Sequence, residues 1–407
     1  MNCRHCNAEL EHLFLDLGFA PPSNAYLNRA DLARPEKHYP LKVRVCDHCW
    51  LVQTEDYAEA DELFSDEYAY FSSTSTGWLE HARTFSLESL ERFRLDGGSL
   101  VIEIASNDGY LLRNFLEFGV PCLGIEPTAS TAAVAEGLGI PVIREFFGEV
   151  LGRRLAAEGR SADLIVGNNV LAHVPDINDF VSGIKSVLKP GGTVSVEFPH
   201  LMRLLERTQF DTVYHEHFSY LSLHAVVSVF AAAGLRVFDL AEIPTHGGSL
   251  RVFACHDEDP RGEESALADV LAREVSEGLL SLETYRAFQG RADAVKNAFL
   301  RFLLEQKAAG RSVAAYGAAA KGNTLLNYAG VKPDLIPFVC DRAVAKQGKY
   351  LPGSHIPILS PDELELRPPD FLVVLPWNLS AEVSAQNASL RRAGTRLVTF
   401  IPELRIW

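Results

Sequence analysis

Apolar and polar positions change their rhythm twice along the chain, after Gly97-Gly98 and again at Arg311. Before the first change, Leu41 to Val45 alternates with a period of two and predicts a strand. The stretch Phe19 to Leu27, FAPPSNAYL, reads as loop because of its Pro pair and Ser-Asn. A helix is predicted from about Trp78 to Phe93. Beyond Gly98, short apolar runs alternate with helical stretches. Strands are predicted at Leu100–Ala105, Cys122–Glu126, from Val142-Ile143, at Ala162–Val166 and at Thr193–Phe198. Helices are predicted at Tyr110–Phe118, Thr131–Leu138 and Ile177–Leu188, the last stopped by Pro190-Gly191-Gly192. This alternation predicts a mostly parallel sheet with helices on both faces. Leu221 to Phe238 is the longest apolar stretch and reads as a packed amphipathic or buried helix; it holds His224 and Arg236 and does not suit a membrane span. Arg261 to Gln306, rich in Ala, Leu and Glu, is predicted helical. The α/β rhythm then returns more weakly: strands at Arg311–Tyr316, Ile336–Cys340, Phe371–Leu375 and Arg396–Ile401, with a helix over Thr324–Tyr328, predict a second, smaller open α/β domain.

A chain of 407 residues is long for one hydrophobic core, so two or three domains are expected. The boundaries are placed at 1–60, 61–260, 261–306 and 307–407: a metal module, a central α/β domain, a helical connection and a C-terminal α/β domain. The metal assignment comes from Cys3-Arg4-His5-Cys6 and Cys46-Asp47-His48-Cys49. Two CxxC pairs in a chain with seven cysteines predict one structural Zn2+ held by Cys3, Cys6, Cys46 and Cys49. His5 and His48 are rivals, but four thiolates already fill a tetrahedral shell. Cys122, Cys255 and Cys340 read as small buried apolar side chains.

A formal charge of −15 argues against broad nucleic-acid binding, which needs a positive surface. It leaves room for a small phosphate site made by one lysine and a helix end. Nothing at the N-terminus resembles a signal peptide, and a cytoplasmic setting is expected, where CxxC pairs favour metal over disulfides. The expected state is a monomer or weak homo-oligomer.

The turn after the first central strand reads Glu103-Ile104-Ala105-Ser106-Asn107-Asp108-Gly109. A dinucleotide fingerprint would need three glycines, and only Gly109 is present, so NAD is disfavoured. A cofactor without pyrophosphate, S-adenosylmethionine, suits this turn better. Glu126 in LGIEP sits where an acid would take the ribose hydroxyls. Asn107 and Gly109 are expected on the methionyl side with Glu103 nearby, Asn168 and Asn169 at the end of the fourth strand, and Phe146 or Phe147 over the adenine.

Tyr214-His215-Glu216-His217 is dense in titratable groups, and His173 lies in the loop after the fourth strand. A near-neutral histidine base, a neighbouring carboxylate and a tyrosine donor suit proton abstraction; a second metal site or a structural polar knot are the alternatives. His246-Gly247-Gly248-Ser249-Leu250-Arg251 reads as a ligand-contact loop, with a tight hairpin as its rival. Gly317 to Thr324, GAAAKGNT, resembles a phosphate cradle with Lys321 at the turn, but it does not match a P-loop. A substrate diphosphate is the expected occupant, with His246, Gly248, Arg251, Lys321 and Asn323 on the substrate side.

Taken in order, the cysteine-rich opening and the EIASNDG, NNVLAHVPD, YHEHFSYLS, HGGSLR and GAAAKGNTLLN segments resemble the sugar C-methyltransferases that act on nucleotide-linked keto-deoxysugars, especially dTDP-4-keto-deoxysugars of antibiotic pathways. The resemblance covers nearly the whole chain. It implies a zinc-binding N-terminal module, a central Rossmann-like S-adenosylmethionine domain, and a smaller C-terminal α/β domain that helps hold the dTDP-sugar. It also implies that His217 abstracts a proton and Tyr214 handles the enolate, with Glu216 and His173 beside them, and that C3 is methylated; Glu216 or His173 is expected to fix the His217 tautomer. The competing readings are an NAD-linked nucleotide-sugar oxidoreductase and a non-catalytic zinc-containing nucleotide-sugar-binding protein.

Overall fold

In the computed structural model, which describes residues 1–57, 71–74 and 76–407, the N-terminal module is built on an antiparallel meander. Its strands are β1 (His12–Ala20), β2 (Tyr39–Val45) and β3 (Val52–Thr54). The boundary expected between residues 60 and 61 lies outside the described residues. Helix α1 (Thr76–Phe93) leads into the central domain.

That domain alternates β4 (Val101–Ile104), α2 (Leu112–Glu117), β5 (Cys122–Ile125), α3 (Ala129–Gly137), β6 (Val142–Ile143), α4 (Glu149–Ala157), β7 (Ala162–Asn168), α5 (Ile177–Val187) and β8 (Leu188–Pro199). There follow α6 (Leu201–Glu206), β9 (Ser219–Tyr220), α7 (Leu223–Ala232), β10 (Leu235–Ile243) and β11 (Ser249–His256). The seven-stranded sheet has the order β10-β11-β8-β7-β4-β5-β6. Strand β11 pairs antiparallel with both its neighbours, and the rest run one way. The central strands are buried along their length, as a sheet covered on both faces requires.

The expectation of one helix over Leu221–Phe238 is corrected. Ser222 caps α7 by accepting from the Ala225 amide at 3.1 Å. Gly234 then takes φ 75°, the left-handed conformation that stops a helix, and the remaining apolar residues enter β10.

Helices α8 (Ser265–Ser276), α9 (Leu282–Arg286) and α10 (Phe288–Ala308) lead to the third sheet. It contains β12 (Val313–Tyr316), followed by α11 (Ala320–Tyr328), then β13 (Val339–Cys340), β14 (Ile358–Leu359), β15 (Phe371–Val374), β16 (Arg396–Thr399) and β17 (Arg405–Ile406). Its order is β14-β13-β12-β15-β16-β17, parallel except for β17.

The parts interlock. Strand β9 of the central segment adds to β3 of the metal module, Val52 opposite Tyr220 and Gln53 opposite Ser219. Phe14, Leu15 and Val43 of the module share one apolar core with Tyr285, Phe288 and Phe371. No helix among the described residues is long and apolar enough to cross a membrane.

Candidate active site

The four N-terminal thiols converge. Their sulfurs lie within 4.8 Å of one another, Cys3 and Cys49 at 3.5 Å and Cys6 and Cys46 at 3.5 Å. A tetrahedral zinc with sulfurs at about 2.3 Å would space them at about 3.8 Å, so the donor set fits Zn2+. Each knuckle closes on a left-handed residue, Asn7 at φ 61° and Trp50 at φ 61°. Gln53 Nε2 donates to the Cys3 sulfur at 3.2 Å. His5 points away: its Nδ1 lies 2.8 Å from Asn178 Oδ1 and its Nε2 3.2 Å from Ser228 Oγ, which ties the module to the central domain. His48 is exposed.

At the carboxyl ends of the central strands, the turn after β4 takes glycine-like backbone without glycine. Ala105 has φ 57° and Asn107 φ 49°. Gly109, at φ 78°, has no alternative, because a Cβ there would stand 2.5 Å from Ile140 Cδ1. Glu126, at the tip of β5, is buried and accepts from the Asn107 amide at 3.0 Å and the Thr128 amide at 2.8 Å. Glu103 lies inside β4; burial, then the charges of Asp108 and Glu126, push its carboxyl well above the usual range. At the end of β7, the Asn168 amide oxygen and nitrogen are both buried without a hydrogen-bond partner among the described residues. The Asn169 Oδ1 is in the same state, while its Nδ2 lies 3.4 Å from His246 Nε2. These are groups prepared for a polar ligand. Phe147 packs edge-on to Phe180 at 5.5 Å, and Phe146 is exposed.

The histidines meet at the mouth of this sheet. His217 lies 3.9 Å from Tyr214 and 4.6 Å from His173, ring centre to ring centre. The expectation that Glu216 or His173 sets the His217 tautomer is corrected. His217 Nδ1 is 2.9 Å from the Thr212 carbonyl oxygen, so it carries the proton and leaves the lone pair on Nε2. Burial, then the neighbouring His173, hold the His217 ring well below its ordinary pKa. His173 Nδ1 likewise faces the Glu216 carbonyl oxygen at 2.7 Å, and burial takes its pKa down to about 4. The Glu216 carboxylate turns the other way, accepting from Ser23 Oγ at 3.2 Å and Asn24 Nδ2 at 3.1 Å. It serves the junction with the metal module.

Arg251 is also placed differently from expectation. It stands opposite Glu197 in the β11–β8 register, and the two are ion-paired at 2.5 Å over the Phe85 ring. A buried guanidinium so committed has no charge left for a diphosphate. Burial alone would raise Glu197, but His81 and Arg251 outweigh it and hold the carboxyl below its usual range. His246 takes φ 52° and stacks edge-on to Trp78 at 5.5 Å; burial, then Lys321, lower its pKa to about 4. The glycines beside it are obligatory: a Cβ at Gly247 would meet Trp377 Cη2 at 2.4 Å, and one at Gly248 would meet Arg203 Cγ at 2.7 Å. Lys321 Nζ donates to Asn378 Oδ1 at 2.8 Å and lies 4.8 Å over the Trp377 ring. Asn323 Nδ2 donates to the Ser23 carbonyl oxygen at 2.6 Å.

Sequence reasoning missed Trp78, His81, Glu197, Asp211 and Trp377. Trp377 Nε1 donates to Asp211 Oδ2 at 2.7 Å, while Asp211 Oδ1 is buried without a partner among the described residues. Burial raises Asp211 to about 6 against the opposing pull of Lys321. None of these residues stands in a motif; each is brought in by a long-range contact.

A sheet of this topology, with unpartnered polar groups at its strand ends and a base beside them, suits a methyltransferase. Three family models cover the chain: a zinc binding domain over residues 3–64, a methyltransferase domain over 78–240, and a C-methyltransferase C-terminal domain over 244–402. The C-methyltransferase NovU of Streptomyces niveus is 36% identical over 404 residues, which span 99% of this chain and 96% of that protein. The chain therefore belongs to the C-methyltransferase family and uses S-adenosylmethionine; the oxidoreductase and non-catalytic readings give way. Among solved structures, magnesium protoporphyrin IX methyltransferase from Synechocystis with bound SAM is 14% identical, with 44% of this chain and 79% of that one covered and a TM-score of 0.34. The PH0226 protein of Pyrococcus horikoshii is 15% identical, with 49% and 99% covered and a TM-score of 0.37.

Proposed function

We propose that this enzyme methylates C3 of a dTDP-linked 4-keto-deoxysugar through an enolate, with His217 as base. The observation that carries the reading is the His217 ring itself: Nδ1 is tied to the Thr212 carbonyl oxygen, Nε2 bears the lone pair, and burial keeps the ring neutral beside Tyr214. A carbon has no lone pair, so it must be made nucleophilic before it can accept a methyl group. A C4 ketone acidifies the C3 proton; Nε2 takes that proton, and Tyr214 donates to the oxygen on which charge develops. S-adenosylmethionine supplies the methyl group from its sulfonium. Glu126, Asn168 and Asn169 orient it at the strand ends, with Asn107 and Gly109 on its methionyl side and Phe146 over the adenine. Choice of C3 over C5, of the deoxysugar and of the dTDP carrier rests on the resemblance of the motifs.

Residues 1–60 brace the site, 61–260 carry the cofactor and base, 261–306 connect, and 307–407 close on the substrate with Lys321 and Asn323. We place the reaction in the cytoplasm, where the four thiolates stay available to zinc, and the enzyme as a monomer or weak homo-oligomer. The decisive experiment incubates the enzyme with S-adenosylmethionine and a dTDP-4-keto-deoxysugar. A mass gain of one methyl, located at C3 by NMR, is expected; methyl transfer to oxygen or to C5 would overturn the reading.

A further inference from the structure

We propose that Lys321 acts at the reacting end of the substrate, where its ammonium faces the C4 oxygen and holds the enolate charge, and that it does not grip the diphosphate. This rests on the enolate reading above and deepens it.

Placement comes first. The opening turn of α11 is docked onto the segment that delivers the base. Thr324 Oγ1 donates to the Val213 carbonyl oxygen at 2.8 Å, one residue before Tyr214, and Asn323 reaches Ser23, whose hydroxyl is held by Glu216. Lys321 is thereby fixed against the catalytic segment. The Trp377 ring below its ammonium abuts Gly247, next to His246. Lys321, His173, Tyr214 and His246 each keep partial solvent access. All four are half-buried, with the Trp377 ring 4.8 Å from the Lys321 ammonium and the Trp78 ring 5.5 Å from that of His246. Groups that are both enclosed and reachable line a cleft.

Charge decides what the cleft takes. The Lys321 ammonium is felt at both His246 and His217, where it opposes protonation. A cation beside a base is a handicap unless an anion forms between them. The enolate oxygen is such an anion: when Nε2 removes the C3 proton, the C–H pair becomes the C3–C4 double bond and the carbonyl pair moves to oxygen. Lys321 stays protonated and donates to that oxygen. When the new C–C bond forms, the pair returns to the carbonyl, the methyl–sulfur pair leaves with a neutral thioether, and the proton on His217 goes to solvent. Asp211 sustains the cation through burial, and Asn378 is the one acceptor recorded for it among the described residues. In a pyranose, C1 and C4 lie across the ring from each other. A group beside C3 and C4 therefore faces away from a diphosphate on C1.

The test uses full-length, zinc-loaded enzyme with Lys321→Met and Lys321→Arg. Two quantities are read: the affinity for dTDP alone, and wash-in of deuterium at C3 of the keto-sugar with S-adenosylhomocysteine bound. Lys321→Met is expected to slow wash-in about 100-fold, the size of a lost oxyanion donor. Lys321→Arg should recover part of the rate, and dTDP affinity should stay within about threefold of wild type in both. A tenfold or greater loss of dTDP affinity, with wash-in unchanged at saturating substrate, would return the lysine to the diphosphate and overturn the proposal. Unchanged values of both would overturn it too. Unaltered S-adenosylhomocysteine affinity certifies that each variant is folded; if Lys321→Met is not, Lys321→Gln is read the same way. Wild-type enzyme that transfers methyl without any wash-in would instead sink the enolate reading itself.

Discussion

Glu216 and His217 are adjacent in the chain and serve opposite sides of it. The Glu216 carboxylate lies 3.2 Å from Ser23 Oγ in the metal module, while His217 Nδ1 lies 2.9 Å from the Thr212 carbonyl oxygen in the catalytic segment. Three donors from Ser23 and Asn24 converge on that carboxylate, and burial outweighs them in raising its pKa. Glu216→Gln keeps one acceptor and turns an NH2 toward donors. It should lower the melting temperature by several degrees, as a loss of about 1–3 kcal/mol would. A melting curve identical to wild type would refute this bracing role.

His217→Asn removes the base while sparing the junction. Methyl transfer should fall by at least about 100-fold, and calorimetry should still detect S-adenosylhomocysteine and dTDP. Deuterium wash-in at C3 should stop as well. Wash-in that persists would transfer the base role to His173, whose Nε2 also bears a lone pair at 4.6 Å ring separation.

Glu126→Ala is expected to weaken S-adenosylhomocysteine ten- to a hundredfold, from the loss of about 1.5–3 kcal/mol in charge-assisted hydrogen bonds. The Asn107 and Thr128 amides, which that carboxylate now accepts, lose their acceptor too. Titration calorimetry reads the change, and an unaltered affinity would move the cofactor elsewhere.

Acid should destabilise the enzyme through its buried histidines. His173 and His246 are held neutral at a pKa of about 4, against 6.5 for an ordinary histidine. Between these values the unfolded chain binds protons that the native state refuses, so their stabilising contribution is complete above 6.5 and fades as pH falls toward 4. The slope is about 1.4 kcal/mol per pH unit for each histidine. Melting temperature followed from pH 7 to 4 should drop less steeply in a His173→Asn, His246→Asn double variant. Parallel curves would count against this origin.

Removal of zinc should reach the active site without any thiol touching it. Strand β3, which follows the second knuckle, pairs with β9, and Thr54 Oγ1 donates to the His217 carbonyl oxygen at 3.2 Å. Chelation should release one zinc per chain and accelerate hydrogen exchange at residues 217–220, with kcat falling in step. Exchange confined to residues 1–57 would show that the two are uncoupled.

The alternation of β4 to β8 was legible because buried parallel strands are short apolar runs with turn residues between them. Strand β1 was not: its ladder slips between Leu13 and Leu15 and again between Asp16 and Phe19, which breaks the period of two. The four thiols announced themselves by residue type and spacing, and His217 was singled out by the family resemblance of its segment. Thr212 could not, because it acts through a carbonyl group that every residue has. The fate of Arg251 hung on the pairing of β11 with β8, which puts Glu197 opposite it and which no local pattern displays. Lys321 was found, but its neighbours Asp211 and Trp377 lie 110 and 56 positions away along the chain.

The β3–β9 pairing also sets an order of events at the ribosome. Residues 1–57 emerge with all four thiols and can take zinc at once, yet the outer edge of β3 stays open until Ser219 and Tyr220 have been made. For the time needed to add more than a hundred residues, the nascent chain carries a bare strand edge, which invites pairing with other chains. Chains released early, at residue 64 for example, should therefore self-associate, and a synthetic peptide of residues 217–222 should suppress that association in light scattering.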